Sequence, residues 1–546
     1  MSAADPTQVL DASARAGEPP AGAASNKLCS AEQAAALIQD GQAVASVGVI
    51  GWITPDAVLK AIGERYRQSA SPRALTFYFP CGTGDAVDIR GMDHVAQPGL
   101  MKRIVSGSYI NPTHPTTGAR PELMRLIRAD QVQAYSWPIG ASMHWLREVA
   151  RKSPGYLTRI GLGTYIDPDI TGGKFTPSAT DDLVRKIDFE GEPMLFYPSW
   201  KLDVGIIRAT ASDDLGNLSF EEDPLLSSAI AIAMAVKACG GTVIAQVKRI
   251  VPRGSRPAVT VRVPAALVDH IVVDPQQMMV TNIAADPAYL GLEPMPYEQV
   301  KRLPMTPGKI IARRASQEVR KGELSIFGFG ASSDIPLVMV EDGRIDADSV
   351  DDYPFTTEHG SFGGVVMNGW QFSGNINPRA VVDGVSQFDL IDGGLCAFAA
   401  LAFAEFDQHG TVNVSRFGKA NPGAGGFIDI AHSARRLVFT GTFTTGGLKV
   451  SYTPDHGLRI DQEGVSRKFV KQAEHITYRV REGVARGQTA LLVTERAVFA
   501  VEADGLVLQE IAPGIDLQRD VLDLMDYPPL RIAEPLRLMD PALFQP

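Results

Sequence analysis

Apolar, β-branched segments alternate with segments of helical periodicity along most of this chain. The strand-like segments are QAVASVGVI, GTVIAQVKRIV, HIVVD, LSIFGFG and RRLVFTGTF. The helix-like segments, in which apolar residues recur every three or four positions, are ELMRLIRADQV, LLSSAIAIAMAVKA and GKIIARRASQEVRK. Alternation of this kind is typical of βαβ units arranged around a mostly parallel sheet, so the pattern predicts an α/β fold.

The pattern also repeats weakly between the two halves of the chain. The order helix, turn, apolar strand, Gly-rich loop and proline occurs at residues 30–55 and again at residues 310–336. Later in each half, DDLGNLSF (213–220) and DQHGTVNVS (407–415) share an Asp-x-x-Gly turn, followed by a small-residue helical segment and a strand. We therefore predict two similar open α/β domains with mostly parallel sheets.

The boundaries of these domains follow from local composition. The segment PAYLGLEPMPYEQVKRLPMTPG is dense in proline and glycine, as linkers are. We predict a mobile tail at 1–27, an N-terminal domain at 28–288, a linker at 289–307 and a C-terminal domain at 308–546. The tail lacks the apolar core of a secretory signal, and its acidic residues fit a mitochondrial transit peptide poorly.

Composition narrows the class of protein further. The 546 residues carry a formal net charge of -10, which argues against nucleic acid or an anionic membrane as partner. No apolar run approaches the roughly twenty residues of a membrane helix. Four cysteines lie far apart without CxxC spacing and nine histidines form no HExxH motif, so we expect no metal site and no permanently bound cofactor. The cysteine usage favours a reducing compartment, and we expect a cytoplasmic metabolic enzyme.

One glutamate stands in a context that suggests chemistry. Glu358, in TEHGSFGG, follows an aspartate-rich loop and precedes glycines that permit close approach of a ligand. Most glutamates are surface residues. However, a free glutamate side chain has a pKa of about 4.3, so it can attack an acyl carbonyl at neutral pH without a partner base. His359 adjoins it, but adjacent side chains in an extended loop point apart, and we expect no acid or base role for this histidine.

Three glycine-rich loops are candidates for binding. In NPGAGGFIDIAHSARR, Gly423, Gly425 and Gly426 precede a helix and could direct N–H groups at a phosphate or oxyanion, although a tight turn between packed elements is an open alternative. The loops at 47–55 and 327–336 follow the first strand of each half and predict a ligand crevice. Neither loop matches a dinucleotide or nucleoside-triphosphate motif, so those ligands are excluded.

Taken together, these segments resemble the family I coenzyme A transferases, specifically the single-chain acetate/propionate/3-oxoacid type in which two subunit-like halves are fused. The signature glutamate of that family lies in a Glu-x-Gly-x-x-Gly-Gly motif, and this chain reads EHGSFGG at 358–364. Other blocks in family order are PELMRLIRADQVQAYSWPIGASMHWLRE, PGYLTRIGLGTYIDPDITGGK, SQFDLIDGG, NPGAGGF and VFTGTFTTGG. The resemblance covers roughly the whole chain after the tail.

The resemblance implies an active site at the interface of the two halves. Glu358 would carry a glutamyl-CoA thioester in a ping-pong transfer of CoA from an acyl-CoA to a carboxylic acid, with coenzyme A as substrate. The loop from Gly423 to Gly426, including Gly425, would supply oxyanion donors, and the loop around Gly48 and Gly51 would bound the pocket from the other half. The family also suggests a homodimer or homotetramer.

One departure from the family pattern concerns the acid. Family members commonly read Pro-Gln-Gly where this chain has Ile139, and an apolar side chain cannot donate a hydrogen bond to a carboxylate. Trp137 and Trp52 add bulk in segments that the family places near the pocket. Either the acyl group is larger or more apolar than acetate, or another residue binds the carboxylate. An acyl-CoA hydrolase on the same scaffold and a non-catalytic acyl-CoA binding protein are the alternative functions.

Overall fold

The computed structural model describes residues 27–85, 87–109 and 121–545, so the predicted tail lies outside the described residues except for Lys27. The first half of the chain forms helices α1 (Ala31–Ala36), α2 (Asp56–Ser69), α3 (Met92–Val95), α4 (Glu122–Arg128), α5 (Ile139–Ala150) and α6 (Ala229–Ala238). Its strands are β1 (Ala43–Ser46), β2 (Leu75–Phe79), β3 (Met101–Ser106), β4 (Gln133–Ser136), β5 (Gly155–Thr158), β6 (Arg185–Phe189), β7 (Glu192–Pro198), β8 (Val204–Asp213), β9 (Leu218–Ser219), β10 (Thr242–Val251), β11 (Val261–Val263) and β12 (His270–Val273).

The second half is richer in short strands. Its helices are α7 (Pro307–Ser316), α8 (Ile335–Glu341), α9 (Gly384–Asp392), α10 (Phe427–Ser433), α11 (Val480–Ala485) and α12 (Leu517–Asp520). Its strands are β13 (Ser325–Phe327), β14 (Phe355–Thr356), β15 (Ser361–Phe362), β16 (Val365–Val366), β17 (Asn375–Ile376), β18 (Ala380–Val381), β19 (Phe398–Ala402), β20 (Glu405–Asp407), β21 (Thr411–Asn413), β22 (Arg436–Thr440), β23 (Thr444–Thr445), β24 (Lys449–Thr453), β25 (Gly457–Gln462), β26 (Ser466–Arg467), β27 (Phe469–Val470), β28 (Tyr478–Arg479), β29 (Thr489–Val493), β30 (Ala497–Glu502), β31 (Gly505–Ile511) and β32 (Arg531–Leu538).

Each half is built around one large, mostly parallel sheet. In the first half, seven parallel strands lie in the order β12-β10-β8-β1-β2-β3-β4, and β9 and β11 extend the sheet in antiparallel pairing. In the second half, the parallel strands β14-β13-β19-β22-β29 form the centre of a ten-stranded sheet whose flanking pairs are mainly antiparallel. The fold is therefore α/β with mostly parallel sheets, in agreement with the pattern of the sequence.

The two sheets share one strand order. The series β2-β1-β8-β10-β12 corresponds to β14-β13-β19-β22-β29, because in each half the first strand is flanked by the next strand on one side and by a later strand on the other. The repeated Asp-x-x-Gly turns are also alike: Asp213 accepts hydrogen bonds from backbone N–H groups two to four residues ahead, and Asp407 accepts from His409 and Thr411. The strands of the two sheets fall on either side of residues 289–307, and the domain boundaries proposed from sequence stay predictions.

The buried strands and helices of the first half explain why these segments fold as they do. Strand β8 is buried along its whole length, because helices and neighbouring strands cover both of its faces. Helix α6, rich in alanine and isoleucine, packs against β8 and α5 and is buried on most of its surface. Helix α1 begins at Ser30 with a capping box in which Ser30 and Gln33 bond each other's backbone N–H groups. Among the described residues, no helix combines the length and apolar character needed to cross a membrane.

Helices and loops of the two halves pack directly against each other. Helix α5 lies against α9, where Arg147 forms a 2.8 Å ion pair with Asp389. Trp52, in the loop after β1, is fully buried, and its indole Nε1 donates a 2.9 Å hydrogen bond to the carbonyl of Phe372 in the second half. Its ring also packs at 5.3 Å from that of Tyr289. The loop after β1 is thus fastened to the half that contains Glu358.

We expect Trp52→Ala to lower the free energy of unfolding by about 3–5 kcal/mol, because it removes a large buried ring and leaves a cavity between the halves. Trp52→Phe keeps most of the ring but leaves the Phe372 carbonyl without its donor, and should cost about 1–3 kcal/mol. Urea-induced unfolding of the three proteins would measure this order. A Trp52→Ala protein as stable as the parent would contradict this role of Trp52.

Candidate active site

A cavity of roughly 370 Å³ lies where the two halves meet. Val49 and Ile50, from the loop after β1, form part of one wall, and Gly328 and Phe329, from the loop after β13, form part of another. The Glu358 side chain reaches the same cavity. The carboxyl ends of the first strands of both halves therefore border one crevice, as expected at the switch points of doubly wound sheets.

A tight hairpin turn holds Glu358 at this cavity. The turn joins the antiparallel strands β14 and β15, and the Thr357 N–H donates a 3.1 Å hydrogen bond to the Ser361 carbonyl across it. Gly360 has a φ of +90°, and a Cβ at that position would overlap the Val382 carbonyl oxygen, so only glycine fits. The first glycine of the EHGSFGG motif is thus required by the shape of the turn.

The side-chain amide of Gln387, on α9, holds the same turn in place through two hydrogen bonds. Its Nε2 donates to the Thr357 carbonyl at 2.8 Å and to the Thr356 hydroxyl at 3.1 Å, and the side chain is fully buried. Helix α9 begins at Asp383, whose carboxylate caps the backbone N–H groups of the first turn. The SQFDLIDGG segment noted in the sequence therefore supports the turn that carries Glu358.

The Glu358 carboxylate contacts the glycine loop of the second half. Its Oε2 accepts a 3.1 Å hydrogen bond from the backbone N–H of Gly426, and 16% of the side chain is exposed to the cavity. A Cβ at Gly426 would overlap Oε2, although the φ of -84° at this residue suits any amino acid. Glycine is required at this position by the approach of the carboxylate.

Gly423 and Gly425 correct the expectation of a three-donor oxyanion loop. The Gly423 N–H donates to the Ser415 carbonyl at 3.1 Å, and the Gly425 N–H donates to the Gly107 carbonyl at 2.9 Å. Both N–H groups are therefore occupied by the protein, and neither is directed at Glu358. Of the three glycines, Gly426 alone has its N–H bonded to the carboxylate. Gly423 and Gly425 line the cavity with their backbone.

Gly425 instead joins the two halves. Besides the bond from its N–H to Gly107, its carbonyl accepts a 3.0 Å hydrogen bond from the N–H of Ile139, at the beginning of α5. One residue further, the Gly140 N–H donates to the Asp429 carboxylate at 3.1 Å. These bonds fix the glycine loop, and with it Gly426, against the first half of the protein.

The other pocket residues expected from sequence are divided between the cavity wall and the layer behind it. Ile139 is fully buried and lines the cavity. Gly48 and Gly51 do not line it: a Cβ at Gly48 would overlap Thr83, and one at Gly51 would lie 2.9 Å from the Thr281 hydroxyl. These two glycines let their loop pack closely against Thr83 and Thr281, and the residues between them, Val49 and Ile50, form part of the wall.

The two tryptophans lie behind the wall, although the segments that contain them reach the cavity. Trp137 belongs to a buried aromatic cluster, with ring centroids 5.0 Å from Tyr197 and 5.8 Å from Trp145. Trp52 is directed at Phe372 and Tyr289. Neither ring lines the cavity. Their bulk supports the site without narrowing it.

His359 lies closer to the carboxylate than its sequence position suggested. The side chain is fully buried, and its Nε2 lies 3.6 Å from Glu358 Oε1. The expectation that the two side chains point apart assumed an extended loop, whereas the tight turn brings both to one side. Within the described part of the chain, neither ring nitrogen of His359 has a hydrogen-bond partner.

Asp429, on α10, is a residue that the sequence reasoning missed. It is buried between α5 and α9, and burial raises the pKa of its carboxyl well above the ordinary value, with the Asp392 and Glu358 carboxylates acting in the same direction. Asp392 accepts or shares a 3.1 Å hydrogen bond with His144 Nε2. The available signal was an aspartate surrounded by apolar residues in GFIDIAHS, directly after the glycine loop.

Within the described ranges, no group of three or more His, Cys, Asp and Glu side chains is arranged to hold a metal ion. Cys81 lines the cavity, but burial, together with the Glu358 carboxylate, raises the pKa of its thiol well above the ordinary value. A protonated thiol is a poor nucleophile. The reactive group that the cavity offers is therefore the Glu358 carboxylate.

The raised pKa of Asp429 predicts that the stability difference between the parent protein and an Asp429→Asn variant depends on pH. Above pH 3.8, its ordinary value, the unfolded chain releases this proton while the folded protein keeps it, so stability falls by about 1.4 kcal/mol per pH unit until the folded pKa is reached. Asp429→Asn keeps an oxygen for the Gly140 N–H and removes the titration. We expect Asp429→Asn to gain stability relative to the parent as pH rises.

Urea-induced unfolding at pH 5 and pH 8 would measure this effect, because contributions from titrating groups that do not interact with Asp429 are common to both proteins and cancel in the difference. The expected result is a larger free-energy advantage of Asp429→Asn at pH 8. An equal difference at the two pH values would show that Asp429 is not held protonated.

Comparison with known proteins gives the family. A family model described as coenzyme A transferase matches residues 29–274. Acetate CoA-transferase YdiF of Escherichia coli K12 is 37% identical over 519 residues, which are 95% of each chain. Caffeate CoA-transferase of Acetobacterium woodii is 37% identical over 529 residues, which are 95% of this chain and 97% of the relative.

A solved structure indicates the same family as the family model and the two relatives. The crystal structure of the acyl-CoA transferase YdiF from Escherichia coli O157:H7, as a thioester complex with CoA, matches with a TM-score of 0.84 and 36% identity, covering 95% of this chain and 96% of that one. The similarity thus extends over both halves and across the cavity between them. The chain therefore belongs to the coenzyme A transferase family and is a CoA-transferase of the single-chain type in which two subunit-like halves are fused.

Proposed function

We propose that this protein transfers CoA from an acyl-CoA to a carboxylic acid through a glutamyl-CoA thioester on Glu358. The observation that carries the proposal is the position of this carboxylate: it reaches an apolar cavity between the halves, and Gly426 binds only one of its oxygens. Among the described residues, no donor is hydrogen-bonded to Oε1, which leaves a nucleophilic oxygen at the cavity. The solved relative in thioester complex with CoA supports this reading.

The first half-reaction would proceed in two acyl transfers. A carboxylate oxygen of Glu358 attacks the thioester carbonyl of the donor, the C–S bond breaks, and CoA leaves as the thiolate. The product is a mixed anhydride between the donor acyl group and Glu358. The thiolate then attacks the glutamyl carbonyl, the donor acid leaves as its carboxylate, and CoA is now bonded to the protein as a thioester.

The second half-reaction reverses these steps with a different acid. The acceptor carboxylate attacks the glutamyl thioester and releases CoA thiolate, which gives the acceptor–glutamyl anhydride. The thiolate then attacks the acceptor acyl carbon and restores the Glu358 carboxylate. No net proton is consumed in either half, so the cycle needs no general acid or base. Water in place of the acceptor would give the hydrolase alternative, and the apolar walls of the cavity disfavour it.

The Gly426 N–H would serve the steps at the glutamyl carbonyl. When thiolate or carboxylate attacks that carbon, negative charge develops on the oxygen that Gly426 already binds at 3.1 Å. A backbone donor placed where charge develops typically accelerates acyl transfer by about 10²–10³-fold. The N–H groups of Gly423 and Gly425 donate to protein carbonyls, so they are not candidates for stabilising charge on the carbonyl oxygen of the acyl group.

Glu358→Ala and Glu358→Gln should abolish transfer, with a loss of at least about 10⁴-fold in kcat, because neither side chain supplies a carboxylate nucleophile. Glu358→Asp should also be severely impaired, since the shorter side chain misplaces the carboxylate by about 1 Å. Release of CoA from an acyl-CoA, with and without an added acid, measures the activity. The exposed loop variant Glu293→Gln is the matched control and should retain full activity.

Two outcomes would contradict the proposal. Transfer by Glu358→Ala at a rate near that of the parent would exclude Glu358 as nucleophile. CoA release that does not depend on an acid acceptor would favour the hydrolase instead. Parallel double-reciprocal plots for acyl-CoA and acid would support the ping-pong order, and intersecting plots would exclude it.

Gly426→Ala tests the contact between the glycine loop and the carboxylate. The added methyl group would overlap Glu358 Oε2 while the backbone keeps an ordinary φ, so the carboxylate must move. We expect kcat to fall by at least about 100-fold with the fold intact. Gly308→Ala, on α7, is the matched control: its φ also suits any amino acid, and an added Cβ would meet its nearest atom, Thr306 Oγ1, at an ordinary 3.6 Å. A Gly426→Ala protein with the activity of Gly308→Ala would contradict this role of Gly426.

A further inference from the structure

The walls of the cavity are almost entirely hydrocarbon. Together with aliphatic residues from both halves, five phenylalanine residues contribute to the lining: Phe329, Phe372, Phe403, Phe417 and Phe427. The polar side chains that line it are the hydroxyls of Ser108 and Ser373, besides the Cys81 thiol and Glu358. Among the described lining residues, Glu358 is the only charged one, and no Lys, Arg or His is present.

This lining discriminates against an acid with a second charge. In a CoA transfer the carboxyl group of the acid reacts with Glu358, so the rest of the acyl group must occupy the cavity beside it. A second carboxylate there would be desolvated without a cation to pair with, at a cost of several kcal/mol. Dicarboxylic acids and their CoA thioesters should therefore bind poorly.

The size of the cavity discriminates against a very small acid. Its volume of roughly 370 Å³ falls within the range of sites that bind small organic molecules. The thiol end of CoA must also reach Glu358 in this cavity, and a two-carbon acyl group beside it would cover little of the remaining apolar surface, whereas each further buried CH₂ group contributes about 0.8 kcal/mol. A larger hydrocarbon body would gain from the same surface, and it needs no hydrogen bond from the residue at position 139.

The arrangement of the rings favours a flat aromatic body. Phe329 and Phe372, from two separate segments of the second half, meet edge to face with centroids 5.4 Å apart and both line the cavity. Aromatic pairs in offset or edge-to-face contact stabilise each other beyond simple burial. Phe427, directly after Gly426, lines the same space. Aromatic residues from three separate segments therefore border the space that the acyl group would occupy.

We propose that the preferred acid of this site is an aromatic monocarboxylic acid, with a short chain between the carboxyl group and the ring. The proposal rests on the proposed function, because it assigns the acyl group to the cavity next to Glu358. Ile139 is part of the hydrocarbon wall that would recognise the ring. Acetate and dicarboxylates such as succinate are the substrates that this wall rejects.

The test compares how fast three thioesters load CoA onto the protein without an acceptor acid: 3-phenylpropanoyl-CoA, acetyl-CoA and succinyl-CoA. Intact mass spectrometry follows the CoA adduct over time, and second-order rate constants are compared. We expect 3-phenylpropanoyl-CoA to load at least about 10-fold faster than either of the others. A smaller ratio, or faster loading by acetyl- or succinyl-CoA, overturns the proposal while leaving the transfer mechanism intact. No adduct with any of the three overturns the mechanism and this inference together.

A charge introduced into the wall gives an independent readout. Phe329 is 39% exposed, so Phe329→Arg can be accommodated while adding a cation that a second carboxylate could pair with. We expect the ratio of succinyl-CoA to 3-phenylpropanoyl-CoA loading to rise at least about 10-fold. Phe329→Leu, which is neutral, should still reject succinyl-CoA. Phe189→Arg, on the exposed β6–β7 hairpin and 50% exposed, is the matched control and should leave the ratio unchanged. An unchanged ratio in Phe329→Arg overturns the proposal.

Discussion

The backbone of two neighbouring glycines connects Glu358 to the opposite half of the protein. Gly426 donates its N–H to the carboxylate, and Gly425 bonds through its N–H to Gly107 and through its carbonyl to Ile139. A side chain at Gly426 would overlap the Glu358 carboxylate. The position of the carboxylate therefore depends on how the two halves fit together, and a shift of α5 or of the loop after β3 would be transmitted to it.

The carboxyl groups of Glu358 and Asp429, both close to the contact between the glycine loop and the first half, lie in different environments. Glu358 is partly exposed to the cavity and accepts a backbone hydrogen bond, whereas Asp429 is enclosed between helices, where burial raises its pKa well above the ordinary value. A protonated Asp429 adds no negative charge beside a site where anionic thiolates and carboxylates must attack. Its bond to the Gly140 N–H also fixes the beginning of α5, next to Ile139. We regard Asp429 as a residue that positions the loop without touching substrate.

Sequence patterns predicted the architecture better than the details of the site. The alternation of apolar strand-like and helix-like segments indicated two α/β halves, because buried parallel strands such as β13 and β22 are short, mostly apolar runs. The EHGSFGG motif located Glu358, since the glycines that the tight turn requires are visible in the sequence. These features depend on local chemistry, which a single sequence records directly.

Features that depend on tertiary contacts or on exact turn geometry could not be predicted in the same way. The glycines of NPGAGG were expected to share one role, yet their N–H groups go to Ser415, to Gly107 and to Glu358. Trp52 and Trp137 belong to segments expected near the pocket, and their rings lie behind its wall. His359 was expected to point away from Glu358, and the turn geometry places them 3.6 Å apart. The contacts of Gly425 and Trp52 join the two halves, whereas those of Gly423, Gly426, Trp137 and His359 arise from packing or from a tight turn within one half.

The identity of the residue that carries CoA during turnover decides between a Glu358 thioester and other routes of transfer. The decisive measurement is peptide mapping by mass spectrometry after the protein reacts with an acyl-CoA in the absence of acid. We predict an adduct of CoA, without the acyl group, on the peptide that contains Glu358, and its loss when an acceptor acid is added. An adduct on the Cys81 peptide instead, or one that carries only the acyl group and persists when acid is added, would contradict it.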